Sequence, residues 1–417
     1  AVADLVRSAF GHAGQKCSAA TLAILVGSAG TSERLRRQLI DAVTSVRVAW
    51  PEDLGAIMGP VITEPEGKLR RALTSLEEGE SWLVEPRQLD DTGRLWSPGL
   101  KDGVRPGSFF HLTEVFGPVL GIMRAATLDE AIELQNATDF GLTGGLHSLD
   151  DKEIDTWLDR VEVGNAYVNR HITGAIVRRQ SFGGWKGSVL GPGAKAGGPN
   201  YVAQLGTWAE TGTPTRTATP SADVAEALDD YAALVDGADR EWLRAAAGSD
   251  AAAWQAELGR EIDESGLRAE ANVFRYRPAP LTVRTVAGAR PAHLLRVLLA
   301  AEAAGTPVRV SLDPGTSAAL KALDGPATRD GLRRLSGHVD IGETTEEFVA
   351  RAERLERIRV VGEGPEADAI SDALSGPGHT VLTGPVLANG RREMLTVLRE
   401  QAISHTLHRF GHLPTAP

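Results

Sequence analysis

Apolar residues recur at helical spacing from the start of the chain, at Val2, Leu5, Val6 and Phe10, which predicts a helix running into a glycine-containing loop. Leu22–Val26 is a short unbroken apolar run, the pattern of a buried strand. Ser32 stands where it can cap the following helix, whose inner face would carry Leu35, Leu39 and Val43. Further strands are predicted at Val119–Met123 and Ala166–Asn169, with a helix over Leu128–Asn136 between them. This alternation favours α/β architecture.

The periodicity stops between Thr211 and Pro220, a stretch of threonines with two prolines and no apolar repeat, which reads as a linker over residues 211–222. Beyond it, Ala222–Leu258 is Ala-rich and helical in pattern. Strands are then predicted at Leu281–Val286, Pro307–Leu312, Ile358–Gly362 and Thr380–Thr383. They alternate with helices at Ala292–Ala304, near Ser317–Leu323, at Glu343–Leu355 and at Glu366–Leu374. Thr344 with Glu347 three residues on forms a capping box, and Phe348, Val349, Ala352 and Leu355 share one face behind it. Such a series implies a largely parallel, Rossmann-like sheet. The expected organisation is one domain over 1–210, the linker, and an α/β domain with a helical lead-in over 223–417.

Composition narrows the function. The net charge is −11, from 44 basic against 55 acidic residues, and no basic cluster offers the surface that phosphate binding needs, so nucleic acid is not an expected partner. The single cysteine, Cys17, excludes an internal disulfide and a cysteine-rich metal site, and suits a reducing cytoplasm. The longest apolar stretch, around Ala19–Val26, is too short to cross a bilayer. The first residues are patterned as a helix, not a signal peptide, and lack an initiator Met, which suggests a chain that starts inside a larger protein.

The residues that could carry chemistry begin with Gly14-Gln15-Lys16-Cys17-Ser18-Ala19. A nucleophilic cysteine must be reachable and must sit beside groups that stabilise charge on the attacked carbonyl. Glycine brings backbone N–H groups close, and Lys16 adds positive charge. Taken alone, a lone cysteine can equally be a small buried hydrophobe. Three later segments follow: Glu114-Val115-Phe116-Gly117-Pro118, Val163-Gly164-Asn165-Ala166-Tyr167-Val168-Asn169-Arg170, and Ser181-Phe182-Gly183-Gly184-Trp185-Lys186-Gly187. His405, His408 and His412 have no carboxylate or thiol companion at fixed spacing and read as helical surface histidines, so no metal is expected.

In this order the four segments resemble the aldehyde dehydrogenase superfamily. Lys16-Cys17-Ser18, with Gly193-Ala-Lys-Ala-Gly-Gly-Pro199, is most similar to the glutamate-semialdehyde (pyrroline-5-carboxylate) dehydrogenases. Phe274-Arg275-Tyr276-Arg277-Pro278 and the tail Leu398–Gly411 resemble the C-terminal extension of long bifunctional proline utilization A proteins. The resemblance implies an aldehyde dehydrogenase catalytic domain without its NAD-binding domain, followed by a Rossmann-like α/β domain. The implied reaction is NAD-dependent oxidation of L-glutamate γ-semialdehyde, with Cys17 as nucleophile and its backbone N–H in the oxyanion hole. Glu114 would hold the nicotinamide-side ribose and Phe116 would pack near the nicotinamide. Lys16, Ser18 and the N–H groups of Gly197 and Gly198 would recognise the substrate carboxylate, and Phe182 would wall the aldehyde pocket. Without the resemblance each position keeps an alternative reading: a strand-end surface carboxylate for Glu114, an ordinary loop for Gly197-Gly198, and a core residue as much as a site residue for Phe182.

In the family, the general-base glutamate, the oxyanion-hole asparagine and the dinucleotide-binding domain lie further upstream than the sixteen residues before Cys17 here. The expected partner is therefore the N-terminal half of the same protein, and the chain alone is not expected to turn over. FAD enters only if a proline dehydrogenase domain precedes it, and a homo-oligomer is left open. Ser181 stands where relatives often have Pro, and Trp185-Lys186-Gly187 also departs from the pattern. The second domain has Ala287-Gly-Ala-Arg-Pro-Ala292 where G-x-G-x-x-G would bind a dinucleotide, which points to packing or tethering there. Two alternatives stand beside the leading one: a non-catalytic assembly and channelling module, and a dehydrogenase for another aldehyde.

Overall fold

The computed structural model describes residues 1–316, 339–353, 357–376 and 378–408. By contact the chain falls into two compact units: Ala1–Gln180 with Glu264–Asn272 and Ile403–Pro417, and Ser181–Asp263 with Val273–Ala402. Contact, not chain order, draws this division, so it falls elsewhere than the 210 and 223 boundaries. Residues 181–200 join the second unit because hydrogen bonds tie them to it: the Trp185 indole N–H donates to the Glu400 carbonyl at 2.8 Å, and the Lys195 N–H to the Glu400 carboxylate at 2.7 Å. Residues 211–221 form no helix or strand.

The first unit is built on a four-stranded sheet in the order Leu22–Val26, Val119–Ala125, Gly99–Asp102, Ser81–Val84. The first three strands are parallel and the last is antiparallel to its neighbour. Every residue of Val119–Ala125 except Arg124 is buried, as expected of a central parallel strand covered on both faces. Helix Glu33–Thr44 begins where Ser32 accepts the Leu35 N–H at 3.2 Å, and its Leu39 and Val43 enter a core with Phe10, Phe110, Leu120 and Ile122. A second, parallel pair, Thr143–Leu146 with Asn165–Val168, is extended within this unit by the ends of two strands, Leu398–Thr406 and Glu270–Pro278.

The second unit holds a five-stranded, wholly parallel sheet in the order Val339–Ile341, Val308–Leu312, Leu281–Thr285, Arg357–Val361, Thr380–Leu382. The strand earliest in sequence is central and later ones are added outward on both sides, the doubly wound order expected of a Rossmann-like domain. Helix Pro291–Ala304 is apolar nearly all round and almost wholly buried, whereas Thr345–Arg351 opens with the capping box formed by Thr344 and Glu347. The Ala-rich segment resolves into Ala222–Ala232 and Gly237–Ala253, followed by a short π turn. The helix expected near Ser317–Leu323 lies outside the described residues.

One local expectation is corrected. His405 is not on a helix: Leu398–Thr406 is a strand, with Glu400, Gln401 and Ser404 buried along it. His408 follows that strand, exposed, and His412 lies outside the described residues. No helix among the described residues is long and apolar enough to cross a membrane.

Candidate active site

The segment that carries Cys17 is shaped by backbone conformations most side chains avoid. Helix Val2–Phe10 ends at Gly11, and His12, Ala13 and Gly14 then take φ of 55°, 54° and 67°. Gly14 is required there, because a Cβ would lie 2.1 Å from the Gly117 carbonyl oxygen. The two loops therefore touch backbone to backbone. Gln15 fastens the same contact: its Nε2 donates to the Phe116 carbonyl at 3.2 Å, while its Oε1 accepts the Ile62 N–H at 2.8 Å. This packing joins two of the motif segments, Gly14–Ala19 and Glu114–Pro118.

Cys17 is exposed at the tip, Lys16 beside it is half-buried, and Ser18 beneath is 4% exposed. The Ala19 N–H closes a turn onto the Lys16 carbonyl at 2.9 Å, and Thr143 donates its hydroxyl to the Ser18 carbonyl at 3.4 Å. Ser8 links the base of the loop to the residues just after the third segment: its carbonyl accepts the Ala20 N–H at 3.0 Å and its hydroxyl the Ile172 N–H at 3.0 Å. Glu114 and Phe116 are half-buried, and Phe116 has φ 58°. Neither the Glu114 carboxylate nor the Lys16 ammonium has a hydrogen-bond or ion-pair partner among the described residues.

Strain marks the same places. Among the described residues six non-glycine positions have positive φ: His12, Ala13, Phe116, Asn169, Arg178 and Lys186. All but Arg178 lie in, or directly before, the four motif segments. Such conformations cost of order 1–3 kcal/mol each and persist where surrounding structure enforces them, commonly at functional sites.

Phe182, Gly197 and Gly198 belong to the second unit. Phe182 is half-buried and exchanges both backbone hydrogen bonds with Ala196, at 2.9 and 2.8 Å. Gly197 is exposed, with φ 73°, and its carbonyl accepts the Ser181 hydroxyl at 3.2 Å. The Gly198 N–H donates to the Lys195 carbonyl at 2.9 Å, so of the two amides expected to meet a carboxylate, only that of Gly197 has no acceptor among the described residues. Gly198 contributes by its missing side chain, since a Cβ would come within 3.0 Å of the Lys195 carbonyl oxygen.

Sequence reading missed Gln15 as a tether and Lys195, Asn200, Tyr276 and Glu400 as a buried cluster. Gln15, Lys195, Tyr276 and Glu400 lie inside motifs quoted for the resemblance, which was the available signal. Lys195 is 1% exposed, and burial pulls its ammonium down to about 7 against the opposing pull of Glu400. Among the described residues no three His, Cys, Asp or Glu are grouped to hold a metal.

The aldehyde dehydrogenase family model matches residues 1–207. A 1-pyrroline-5-carboxylate dehydrogenase of Bacillus pumilus is 37% identical over 201 residues, 47% of this chain and 38% of that protein. Bacillus subtilis 1-pyrroline-5-carboxylate dehydrogenase 2 is 36% identical over 206 residues, 49% of this chain and 39% of that protein. This chain thus spans well under half the length of either relative. A solved structure of proline utilization A (PutA) from Corynebacterium freiburgense superposes with TM-score 0.80 at 47% identity, covering 99% of this chain and 38% of that one. Residues 1–207 are an aldehyde dehydrogenase family domain, and the chain as a whole shares the fold of the matching portion of PutA.

Proposed function

We propose that this chain is the thiol-bearing portion of a longer, cytoplasmic, NAD-dependent L-glutamate γ-semialdehyde dehydrogenase that produces L-glutamate. The observation that carries the reading is the lone cysteine, exposed on a loop whose backbone is packed against the Glu114–Pro118 loop.

The Cys17 sulfur attacks the aldehyde carbon, and the carbonyl π electrons move onto oxygen, where the Cys17 backbone N–H receives the developing charge. Loss of hydride from the same carbon leaves a thioester on Cys17. Water then attacks the thioester carbon, releases glutamate and returns the thiol, a step that needs a general base. Lys16, a cation beside the nucleophile with no ion-pair partner among the described residues, suits a substrate carrying a carboxylate. Ser18 beneath the loop and the Gly197–Gly198 turn, whose Gly197 N–H has no acceptor among the described residues, are proposed to receive that carboxylate. Phe182 is proposed to wall the aldehyde.

The residues fit NAD as the oxidant. Glu114 keeps a half-buried carboxylate with no partner among the described residues, as a ribose diol would require, and Phe116 is held beside it by the Gln15 bond to its carbonyl. Bound NAD supplies the hydride acceptor.

The test is steady-state oxidation of glutamate semialdehyde by the full-length polypeptide, wild type against Cys17→Ser, in competition with propanal. The expected result is NAD-dependent turnover that Cys17→Ser abolishes and a kcat/KM favouring the semialdehyde. Unchanged turnover in Cys17→Ser would make the domain an assembly module. Preference for propanal would make it a dehydrogenase for another aldehyde.

A further inference from the structure

One carboxylate holds both feet of the Lys195–Asn200 loop. Glu400, 6% exposed, accepts the Lys195 backbone N–H on Oε2 at 2.7 Å and the Asn200 side-chain N–H on Oε1 at 2.8 Å. Between these feet lie Gly197, in the left-handed region, and Gly198.

We propose that Glu400 is a positioning residue for the Gly197–Gly198 turn, so that the C-terminal strand sets the enzyme's affinity for carboxylate-bearing aldehydes. The proposal rests on the reading above, that this turn receives the substrate carboxylate.

Three features make Glu400 a fixed anchor. Its own backbone is held, because its carbonyl accepts the Trp185 indole N–H at 2.8 Å, and the Arg399 guanidinium lies 3.7 Å over the Trp185 ring. Asn200 Nδ2 also donates to the Tyr276 hydroxyl at 2.8 Å, Tyr276 donates to Glu257 at 3.0 Å, and Arg391 donates to both Glu257 oxygens at 2.7 and 2.8 Å. The clasp therefore ends on an ion pair. Finally, Asn200 Oδ1 is buried with no hydrogen-bond partner among the described residues. Turning the amide over would set that oxygen against the Glu400 carboxylate, so the charge on Glu400 dictates the orientation of Asn200. Burial pushes the Glu400 carboxyl up while the Lys195 and Asn200 N–H groups favour its ionised form.

Further bonds tie the turn to its own unit. Gly198 donates to Lys195, Ser181 to the Gly197 carbonyl, the Lys195 ammonium to the Gly183 carbonyl, and Ala196 pairs with Phe182. The Gly197 N–H, on an exposed residue, has no acceptor among the described residues. A carboxylate is the group that can accept at both feet together. An amide of the same shape must face one N–H donor with its own NH2.

The experiment is steady-state kinetics of Glu400→Gln in the full-length enzyme, with glutamate semialdehyde and with propanal, alongside Asn200→Ala and Gly197→Ala. For Glu400→Gln the expected result is a KM for the semialdehyde raised about tenfold, the scale of one charge-assisted hydrogen bond. Its kcat for both aldehydes, and its KM for propanal, should stay within about twofold of wild type. Asn200→Ala should show the same split. Parallel losses for both aldehydes, or an unchanged semialdehyde KM in Glu400→Gln and Asn200→Ala, overturn the positioning role. Gly197→Ala separates the two ideas, because L-residues resist its backbone conformation and the turn must reshape. If it raises the semialdehyde KM while the Glu400 and Asn200 variants do not, the reading of the turn stands and the role of Glu400 falls. If Gly197→Ala is silent, the turn does not bind the carboxylate and both fall.

Discussion

Adding a single methyl group at Gly14 tests the contact on which the site is built. Gly14→Ala places a Cβ 2.1 Å from the Gly117 carbonyl oxygen, 2.6 Å from its carbon and 3.0 Å from the Ala9 carbonyl oxygen. All three are backbone atoms, so no rotamer change relieves the overlap, and the two loops must separate by about 1 Å to restore ordinary contact. Holding alanine at φ 67° adds about 1–2 kcal/mol. Overpacking adds about 1–3 kcal/mol, which puts the destabilisation at about 2–5 kcal/mol. Gly11→Ala is the control: its Cβ meets nothing within 4 Å and its φ is −53°, so it should stay within about 0.5 kcal/mol of wild type. Urea denaturation measures both variants. Because Cys17 is the only thiol in the chain, its alkylation rate reports whether the loop has moved. A Gly14→Ala chain as stable as Gly11→Ala, with wild-type alkylation of Cys17, would refute the packing of the two loops.

Other perturbations address the rest of the molecule. Asp250 and Arg296 form a fully buried pair with bonds of 2.7 and 2.8 Å, so Asp250→Ala strands a buried guanidinium and should cost about 3–5 kcal/mol in urea denaturation, while a loss below about 1 kcal/mol would deny the burial. Lys195, pulled from 10.5 to about 7, binds its proton more weakly folded than unfolded, so its contribution to stability should rise between pH 7 and 10.5 and be flat below. Lys195→Met should therefore flatten the stability difference between about pH 7 and about pH 9.5, and an unchanged slope contradicts the neutral buried amine. Ser32→Ala removes the cap of helix Glu33–Thr44 and should cost about 1 kcal/mol, read from the melting temperature; no change would mean that water replaces the cap.

The elements legible in the sequence are those whose signals are local. Leu22–Val26 and Leu128–Asn136 form over the residues the periodicity marks, and Ser32 and Thr344 cap as their positions suggest. The strand Leu398–Thr406 was not legible, because Glu400, Gln401 and Ser404 are buried by partners far away in sequence: Lys195 and Asn200, Arg275, and Asn272 with Gln180. Polar residues read as surface, or as helix formers, until those partners are in view. Gln15 is the same case, since its two acceptor and donor contacts lie at Phe116 and Ile62. Cys17, Glu114 and Phe116 could be singled out only because four short motifs occur in order; no periodicity distinguishes an exposed thiol from a buried one. The turn at Gly197–Gly198 was legible as glycine, but the engagement of the Gly198 N–H within the turn needed coordinates.

The central claim is that the Cys17 sulfur forms a covalent bond to the substrate carbon. Acid quenching of the full-length enzyme during turnover of glutamate semialdehyde, followed by mass analysis of the peptide containing Cys17, tests it directly. The expected result is a glutamyl thioester on Cys17 that appears and decays with turnover and is absent from Cys17→Ser. Turnover with Cys17 unmodified throughout, and retained in Cys17→Ser, would contradict it.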